Sequence, residues 1–212
     1  MNKKLSRFWA ICTASLCFTM VACTSVTTPV SRLPFSSKSS NDLSNVTTVC
    51  VLPKIEYEDV SMAFNLEADL PMWKVGYFVD KPPRYALTEF IREGDDINNW
   101  RELLTVQNFA ANSWGLSSPE ETLNALMAAR EQRCPGATRW NVIEKSADSI
   151  LYEWQATTCQ GWPDQHEIAK ITYGKYNRFS YHYVAKRYQL PVDTRSKWIK
   201  TFAESTIVLR CR

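Results

Sequence analysis

The sequence predicts an α+β fold in which two main helices pack on one face of an antiparallel β-sheet. Runs rich in aromatic and β-branched residues recur between short polar turns, which is typical of strands joined by hairpins. Two other segments carry apolar residues at helical spacing. The order is strands, helix, strands, helix, strand, without an internal repeat, so one domain over about 48–212 is expected.

Strands are predicted on both sides of the first helix. They cover 48–52, 72–79, 85–91 and 100–109 before it, and 140–144, 149–158, 167–187 and 207–209 after it. The segment 174–177 begins with Gly174 and interrupts the long strand 167–187, which indicates a hairpin turn.

Both helices have recognisable starts. Ser118 can cap the first helix, Pro119 suits its first turn and Glu121 completes a capping box. That helix is expected to end at Cys134. The second helix is expected to start at Asp193 or Thr194. Its apolar face is formed by Trp198, Ile199 and Phe202.

Residues 1–22 have the organisation of a secretory signal peptide. Three basic residues precede the uncharged run 8–22, which is shorter than the roughly 20 residues of a membrane-spanning helix. The run ends in Met20-Val21-Ala22-Cys23, which resembles the lipobox of bacterial lipoproteins. The resemblance implies that Cys23 is lipidated and becomes the first residue of the mature protein.

The lipid at Cys23 is the expected contact with a membrane, because each buried CH₂ group contributes roughly 0.8 kcal/mol. Thr24, rather than Asp, follows Cys23. By resemblance to enterobacterial lipoproteins, this implies the outer membrane, with the protein facing the periplasm. Residues 23–47 are rich in Ser and Thr and poor in apolar residues, so they are expected to form a flexible tether.

The charge balance argues against a nucleic-acid partner. Three of the 25 basic residues and none of the 22 acidic ones lie in residues 1–22, which leaves 22 of each in the mature chain. A neutral chain carries no large field of one sign that would attract polyanions.

The mature chain has four cysteines besides Cys23, because Cys12 and Cys17 lie in the signal peptide. Four is an even number, which suits disulfides in an oxidising compartment. Three pairings are possible, and we favour Cys134–Cys159 with Cys50–Cys211. The cysteine and histidine spacings contain no metal-ligand pattern, so neither a metal nor another cofactor is expected.

Part of the chain resembles known envelope proteins. The segment 90–109, the pattern Cys134, Tyr152-Glu153-Trp154 and Cys159, and the C-terminal amphipathic helix are similar to small uncharacterised bacterial envelope proteins. The layout over about 70–207 also resembles the Mog1/PsbP-like α/β/α sandwich. This resemblance implies a fold and a broad role in binding and assembly, and no catalytic residue is carried over.

Acidic residues near Trp100 are the first candidate for chemistry. Glu93, Asp95 and Glu102 could supply paired carboxylates for cleaving cell-wall sugars, with Trp100 stacking on a sugar ring. The alternative interpretation is a polar turn that leads into a strand, with Trp100 as a packing anchor. No nucleophile-elbow, zinc-protease, P-loop or dinucleotide motif occurs in the sequence.

The segment 159–167 is the candidate binding loop. Trp162 could fill a partner's pocket, and Asp164 with His166 could form a pH-sensitive contact. The alternative is a disulfide-fixed hairpin whose tryptophan covers the edge of the core.

The function expected from these observations is a non-enzymatic interaction module with a protein partner in the cell envelope. It would serve a secretion or surface assembly, or neutralise a toxin. Two alternatives stay open: a cell-wall or lipid hydrolase that uses the acidic residues near Trp100, and a carrier of a small apolar ligand.

Overall fold

The structure is a computed structural model that describes residues 56–61, 72–81, 85–111 and 115–211. The predicted signal peptide, Cys23, the tether, Cys50 and the predicted strand 48–52 lie outside these residues.

Nine strands and two helices lie in the described part of the chain. In order they are β1 Glu56–Ser61, β2 Trp73–Lys81, β3 Tyr85–Arg92, β4 Glu102–Ala110, α1 Pro119–Arg133, β5 Thr138–Lys145, β6 Ser149–Ala156, β7 Gln165–Tyr173, β8 Asn177–Ala185, α2 Val192–Ala203 and β9 Thr206–Cys211. The α+β class with a large antiparallel sheet is confirmed. Strand β1 was not predicted, because its sequence EYEDVS carries three acidic residues and little apolar character.

Seven strands form one antiparallel sheet in the order β2-β3-β4-β8-β7-β6-β5. Strand β8 therefore joins the early hairpins to the later ones. The first and last strands, β1 and β9, pair with each other as a separate two-stranded ribbon.

The two helices lie on opposite faces of the sheet, so the expectation that both pack on one face is wrong. Successive strand residues point to opposite faces. On β7, Ile168 belongs to the apolar cluster that contains Phe202 of α2, whereas Ala169 belongs to the cluster that contains Leu123 of α1. Each helix therefore seals its own apolar cluster. Neither helix is long and apolar enough to cross a membrane, as far as the described residues extend.

The start of α1 differs from the predicted capping box by one residue. Ser118 Oγ accepts the Glu121 N–H at 3.2 Å, as expected of the cap. The Glu121 carboxylate, however, accepts from the backbone N–H and the hydroxyl of Ser117 at 2.7 and 2.8 Å. Glu121 thus satisfies donors one position before the cap.

The end of α2 is held by a buried lysine. Lys170 Nζ donates to the carbonyl oxygens of Phe202, Ala203 and Ser205 at 2.9, 3.2 and 3.0 Å. A positive charge at a helix C-terminus is stabilising, and here it also satisfies carbonyls that have no partner within the helix.

The ribbon is fastened to the main sheet by Glu58. Its carboxylate accepts the backbone N–H groups of Lys175, Tyr176 and Asn177 at 2.6, 2.9 and 2.8 Å, in the turn between β7 and β8. Gly174 precedes these donors, and a Cβ there would lie 2.6 Å from Glu58 Cδ. The absence of a side chain at Gly174 therefore lets the carboxylate approach.

Candidate functional site

The predicted disulfide Cys134–Cys159 is present, with the two Cα atoms 6.0 Å apart. It joins the residue after α1 to the loop between β6 and β7, and so attaches that loop to the helix. The Cys50–Cys211 pairing stays a prediction, because Cys50 lies outside the described residues.

The loop that follows Cys159 is a tight turn. Cys159 and Trp162 exchange backbone hydrogen bonds of 2.8 and 3.1 Å, and the two residues between them, Gln160 and Gly161, have φ angles of 48° and 83°. Two positive φ angles are the requirement of a type I′ hairpin turn. The Gln160 side chain donates to the Arg133 carbonyl at 2.8 Å, which compensates for the strained backbone.

Asp164 closes the base of this loop. Its Oδ1 accepts the backbone N–H and the hydroxyl of Thr158 at 2.7 and 2.8 Å. Together with the disulfide and the turn, this contact restrains the backbone on both sides of Trp162. The loop would therefore lose little conformational freedom on binding a partner.

Trp162 lines a pocket between the loop and the C-terminal half of α1. The same pocket is also lined by Arg130, Trp140, Trp154 and Glu167. Trp162 is partly buried, so part of its ring is accessible at the pocket. That Trp162 fills a partner's pocket stays a prediction.

The charged residues in the lining of this pocket, which we call the tryptophan pocket, are Arg130, Arg133 and Glu167. The Arg130 guanidinium lies 3.6 Å from the centroid of the Trp154 ring, and its Nε donates to Thr138 Oγ1 at 3.0 Å. Burial lowers the pKa of Arg130, and the negative charge of Glu167 opposes that shift. Within the described residues, no carboxylate forms a salt bridge with it.

His166 lies away from the other two predicted binding residues. It belongs to β7 rather than to the loop, is fully buried (0% exposed) and points toward α2, on the opposite face from the tryptophan pocket. Its Nδ1 accepts the Leu190 N–H at 3.0 Å, which leaves the proton on Nε2, 3.1 Å from Glu153 Oε2. Burial lowers the pKa of His166, and Glu153 opposes that shift.

Glu153 connects this histidine to α2. Arg195 donates to both Glu153 oxygens at 2.7 and 2.6 Å, and Asn141 donates at 2.9 Å. Burial raises the pKa of Glu153, but the hydrogen bonds from Arg195, Asn141 and His166 outweigh it and bring the pKa to about 2. The network ties β5, β6, β7 and α2 together, so it has an evident structural role.

The three candidate catalytic acids each have a basic partner of their own. Glu102 binds Arg92 at 2.6 Å, Asp95 binds Arg101 at 2.8 Å, and Glu93 lies 3.9 Å from Lys74 with 63% of its side chain exposed.

Trp100, expected beside these acids, is 8% exposed. It packs in an apolar cluster with Ile91 and Leu103, and Lys186 Nζ lies 4.5 Å from its ring centroid. The packing of Trp100 leaves little ring surface on which a sugar could stack.

The structure also assembles a buried polar row that sequence reasoning missed. Ser180 Oγ lies 2.5 Å from His182 Nε2, and His182 Nδ1 lies 2.9 Å from Glu167 Oε1. This order of contacts is that of a Ser-His-acid triad. Ser180, however, sits in the middle of β8 and is 1% exposed, so a substrate does not reach its hydroxyl in this conformation.

Glu89 extends the row onto β3, because it pairs with Thr105 and Thr105 pairs with His182. Burial raises the pKa of Glu89 to about 7, and the charge of His182 opposes this shift. Alternation along 177–185 puts Ser180 and His182 on one face, but only the register between strands reveals their neighbours.

The described residues contain no group of three or more side chains suited to hold a metal ion. In comparisons with known proteins, no protein-family model and no curated protein matches this chain.

Proposed function

We propose that the protein is a lipid-anchored interaction module of the bacterial envelope, and that Trp162 and the tryptophan pocket form its recognition surface. The observation that carries the proposal is the restraint of the Trp162 loop by the Cys134–Cys159 disulfide, the type I′ turn and Asp164. A rigidly presented tryptophan is a frequent centre of binding energy in protein interfaces.

The proposed cellular location follows from the N-terminal sequence. The signal peptide and lipobox support lipidation at Cys23, and Thr24 supports the outer membrane, with the domain facing the periplasm. We expect a fatty acid supplied in the growth medium to label the wild-type protein. Label retained on the Cys23→Ser protein would contradict the anchor.

The layering of the domain supports the proposed Mog1/PsbP-like sandwich, because a helix lies on each face of the sheet. The resemblance implies a broad role in binding and assembly. With the lipobox, the tether and the disulfide-stapled domain, it favours a partner in a secretion or surface assembly, or a toxin that the protein neutralises. A specific, stoichiometric protein recovered from cross-linked envelope would support this role.

Enzymatic function has less support. Ser180 is buried, and the acids near Trp100 are paired with separate basic residues. If Glu102→Gln abolished the biological function while the protein folded normally, the hydrolase would become the better explanation. A lipid recovered with the protein would favour the carrier.

The proposal is tested by Trp162→Ala, with Phe78→Ala as a matched control. Phe78 is 60% exposed on β2, outside the tryptophan pocket. We expect Trp162→Ala to weaken partner capture by about 2 kcal/mol with little change in Tm, as for an interface hot spot. Phe78→Ala should leave capture unchanged.

The opposite result would identify a different surface. Loss of capture in Phe78→Ala alone would move the interface to the edge strand β2. A loss of about 3–5 kcal/mol of stability in Trp162→Ala would show that the ring seals the core instead.

A further inference from the structure

Arg130 brings a positive charge into the tryptophan pocket, where the described residues give it the nearby charge of Glu167 but no salt bridge. In the described part of the chain, its side chain makes a single hydrogen bond, through Nε to Thr138, and no salt bridge. The stacking on Trp154 fixes the plane of the guanidinium and leaves the terminal nitrogens available as donors. A partly buried guanidinium whose terminal nitrogens make no hydrogen bond favours an anionic ligand that can accept from both of them.

Glu167 supplies an acceptor in the same pocket. Its Oε1 is engaged by His182 at 2.9 Å, and this hydrogen bond fixes the orientation of the carboxylate. The second oxygen has no hydrogen-bond partner in the described part of the chain. The pocket therefore offers a donor for an anion, a nearby acceptor for an N–H or O–H group, and aromatic walls.

We infer that the pocket binds the free C-terminal carboxylate of a partner chain that ends in a bulky apolar residue. The inference rests on the proposed function and names the partner's recognised end. The terminal carboxylate would take the two terminal nitrogens of Arg130. The amide N–H of the same residue would donate to Glu167, and its side chain would lie against Trp140 and Trp162.

The lining favours this ligand over a sugar or a fatty acid. A sugar presents several hydroxyl groups that each need a partner, whereas most of the pocket wall is aromatic or aliphatic. A fatty acid offers a carboxylate but no N–H group for Glu167. A C-terminal residue carries an anion, one donor and an apolar side chain on a single carbon atom.

The test uses the full chain in detergent and two small probes, N-acetyl-phenylalanine and its primary amide. Binding is followed by tryptophan fluorescence, because Trp140, Trp154 and Trp162 line the pocket. We expect the acid to bind about ten- to a hundredfold more tightly than the amide, the range for a charge-assisted hydrogen bond.

Two variants assign that preference to Arg130. Arg130→Gln should remove it, and Arg139→Gln, a change at an exposed arginine of β5, should retain it. Arg130→Lys keeps the charge and should retain part of the preference, which separates the loss of charge from misfolding.

Equal binding of acid and amide, or an unchanged preference in Arg130→Gln, would overturn the inference. So would tighter binding of decanoate or N-acetylmuramic acid than of N-acetyl-phenylalanine. The inference can fail separately from the proposed function: Trp162→Ala could still abolish partner capture when the probes show no preference for the acid. A preference for the acid together with full capture by Trp162→Ala would overturn the proposed function instead.

Discussion

Position 174 requires glycine because of one neighbouring side chain, that of Glu58, which contacts the β7–β8 turn. An added Cβ would lie 2.6 Å from Glu58 Cδ, and the backbone of Gly174 does not have the positive φ that would itself require glycine. Gly174→Ala should therefore be harmful only while Glu58 is present.

The magnitude follows from the three hydrogen bonds that the carboxylate accepts. Hydrogen bonds to charged groups contribute about 1.5–3 kcal/mol each. These three share one carboxylate, so their contributions are not additive and we expect Glu58→Ala to cost about 3 kcal/mol in total. Gly174→Ala displaces the same carboxylate and should cost a similar amount.

The double variant Glu58→Ala/Gly174→Ala gives the interaction free energy between the two positions, which tests the steric explanation. In the Glu58→Ala background, Gly174→Ala should cost nothing, or stabilise by about 0.4–1 kcal/mol, because alanine restricts the unfolded chain. The interaction free energy between the two positions should thus be about 3 kcal/mol.

Urea unfolding followed by tryptophan fluorescence measures these values. Hydrogen exchange at the amides of Lys175, Tyr176 and Asn177 would show whether the ribbon detaches before the whole domain unfolds. An equal cost of Gly174→Ala in both backgrounds would refute the steric explanation.

Three further predictions concern pH and the disulfide. The folded-state pKa of Glu153, about 2, lies below its ordinary value, so its contribution is complete above about pH 4.5 and is lost as pH falls through 2. Because 39% of the Arg195 side chain is exposed, we expect Glu153 to contribute about 2 kcal/mol to the free energy of unfolding. Glu153→Gln should therefore reduce the fall in stability that urea unfolding measures between pH 4.5 and pH 2. An unchanged fall would contradict this. Burial raises the pKa of Glu89 to about 7, so the folded state loses stability as pH rises from about 4.5 through 7. Glu89→Gln should therefore stabilise the protein by about 2–3 kcal/mol at pH 8 but not at pH 4. Equal effects at both pH values would show that the carboxyl is already ionised in the folded state at lower pH. The Cys134–Cys159 bridge spans 25 residues, so replacing both cysteines by serine should cost about 3.5 kcal/mol in thermal or urea unfolding, and a loss below about 1 kcal/mol would show that α1 holds the loop without it.

The strands of the main sheet could be predicted because runs rich in aromatic and β-branched residues recur between polar turns. In β3, Leu87, Glu89 and Ile91 are buried and the residues between them are partly exposed. The position of a helix relative to the sheet could not be predicted in the same way. Which face a helix covers depends on the path of the chain after each strand, and the sequences of α1 and α2 do not encode that path locally.

The site was predictable in part. The cysteine spacing and the position of Trp162 indicated the restrained loop. His166 was expected in that loop, but β7 begins at Gln165, so its side chain points to the other face. The pocket role of Arg130 and Glu167 depends on packing between α1 and β7, which are distant in sequence.

Glu58 and the tryptophan pocket lie near opposite ends of β7. Glu58 contacts the turn after Tyr173, whereas Glu167 lies near the start of the strand. Seven residue steps from Glu167 to Gly174 at the rise of a strand separate the two places by roughly 23 Å. In a chain anchored at Cys23, the anchored segment would enter the domain at β1, on the side of the ribbon. The point of attachment would then lie about one strand length from the proposed recognition surface.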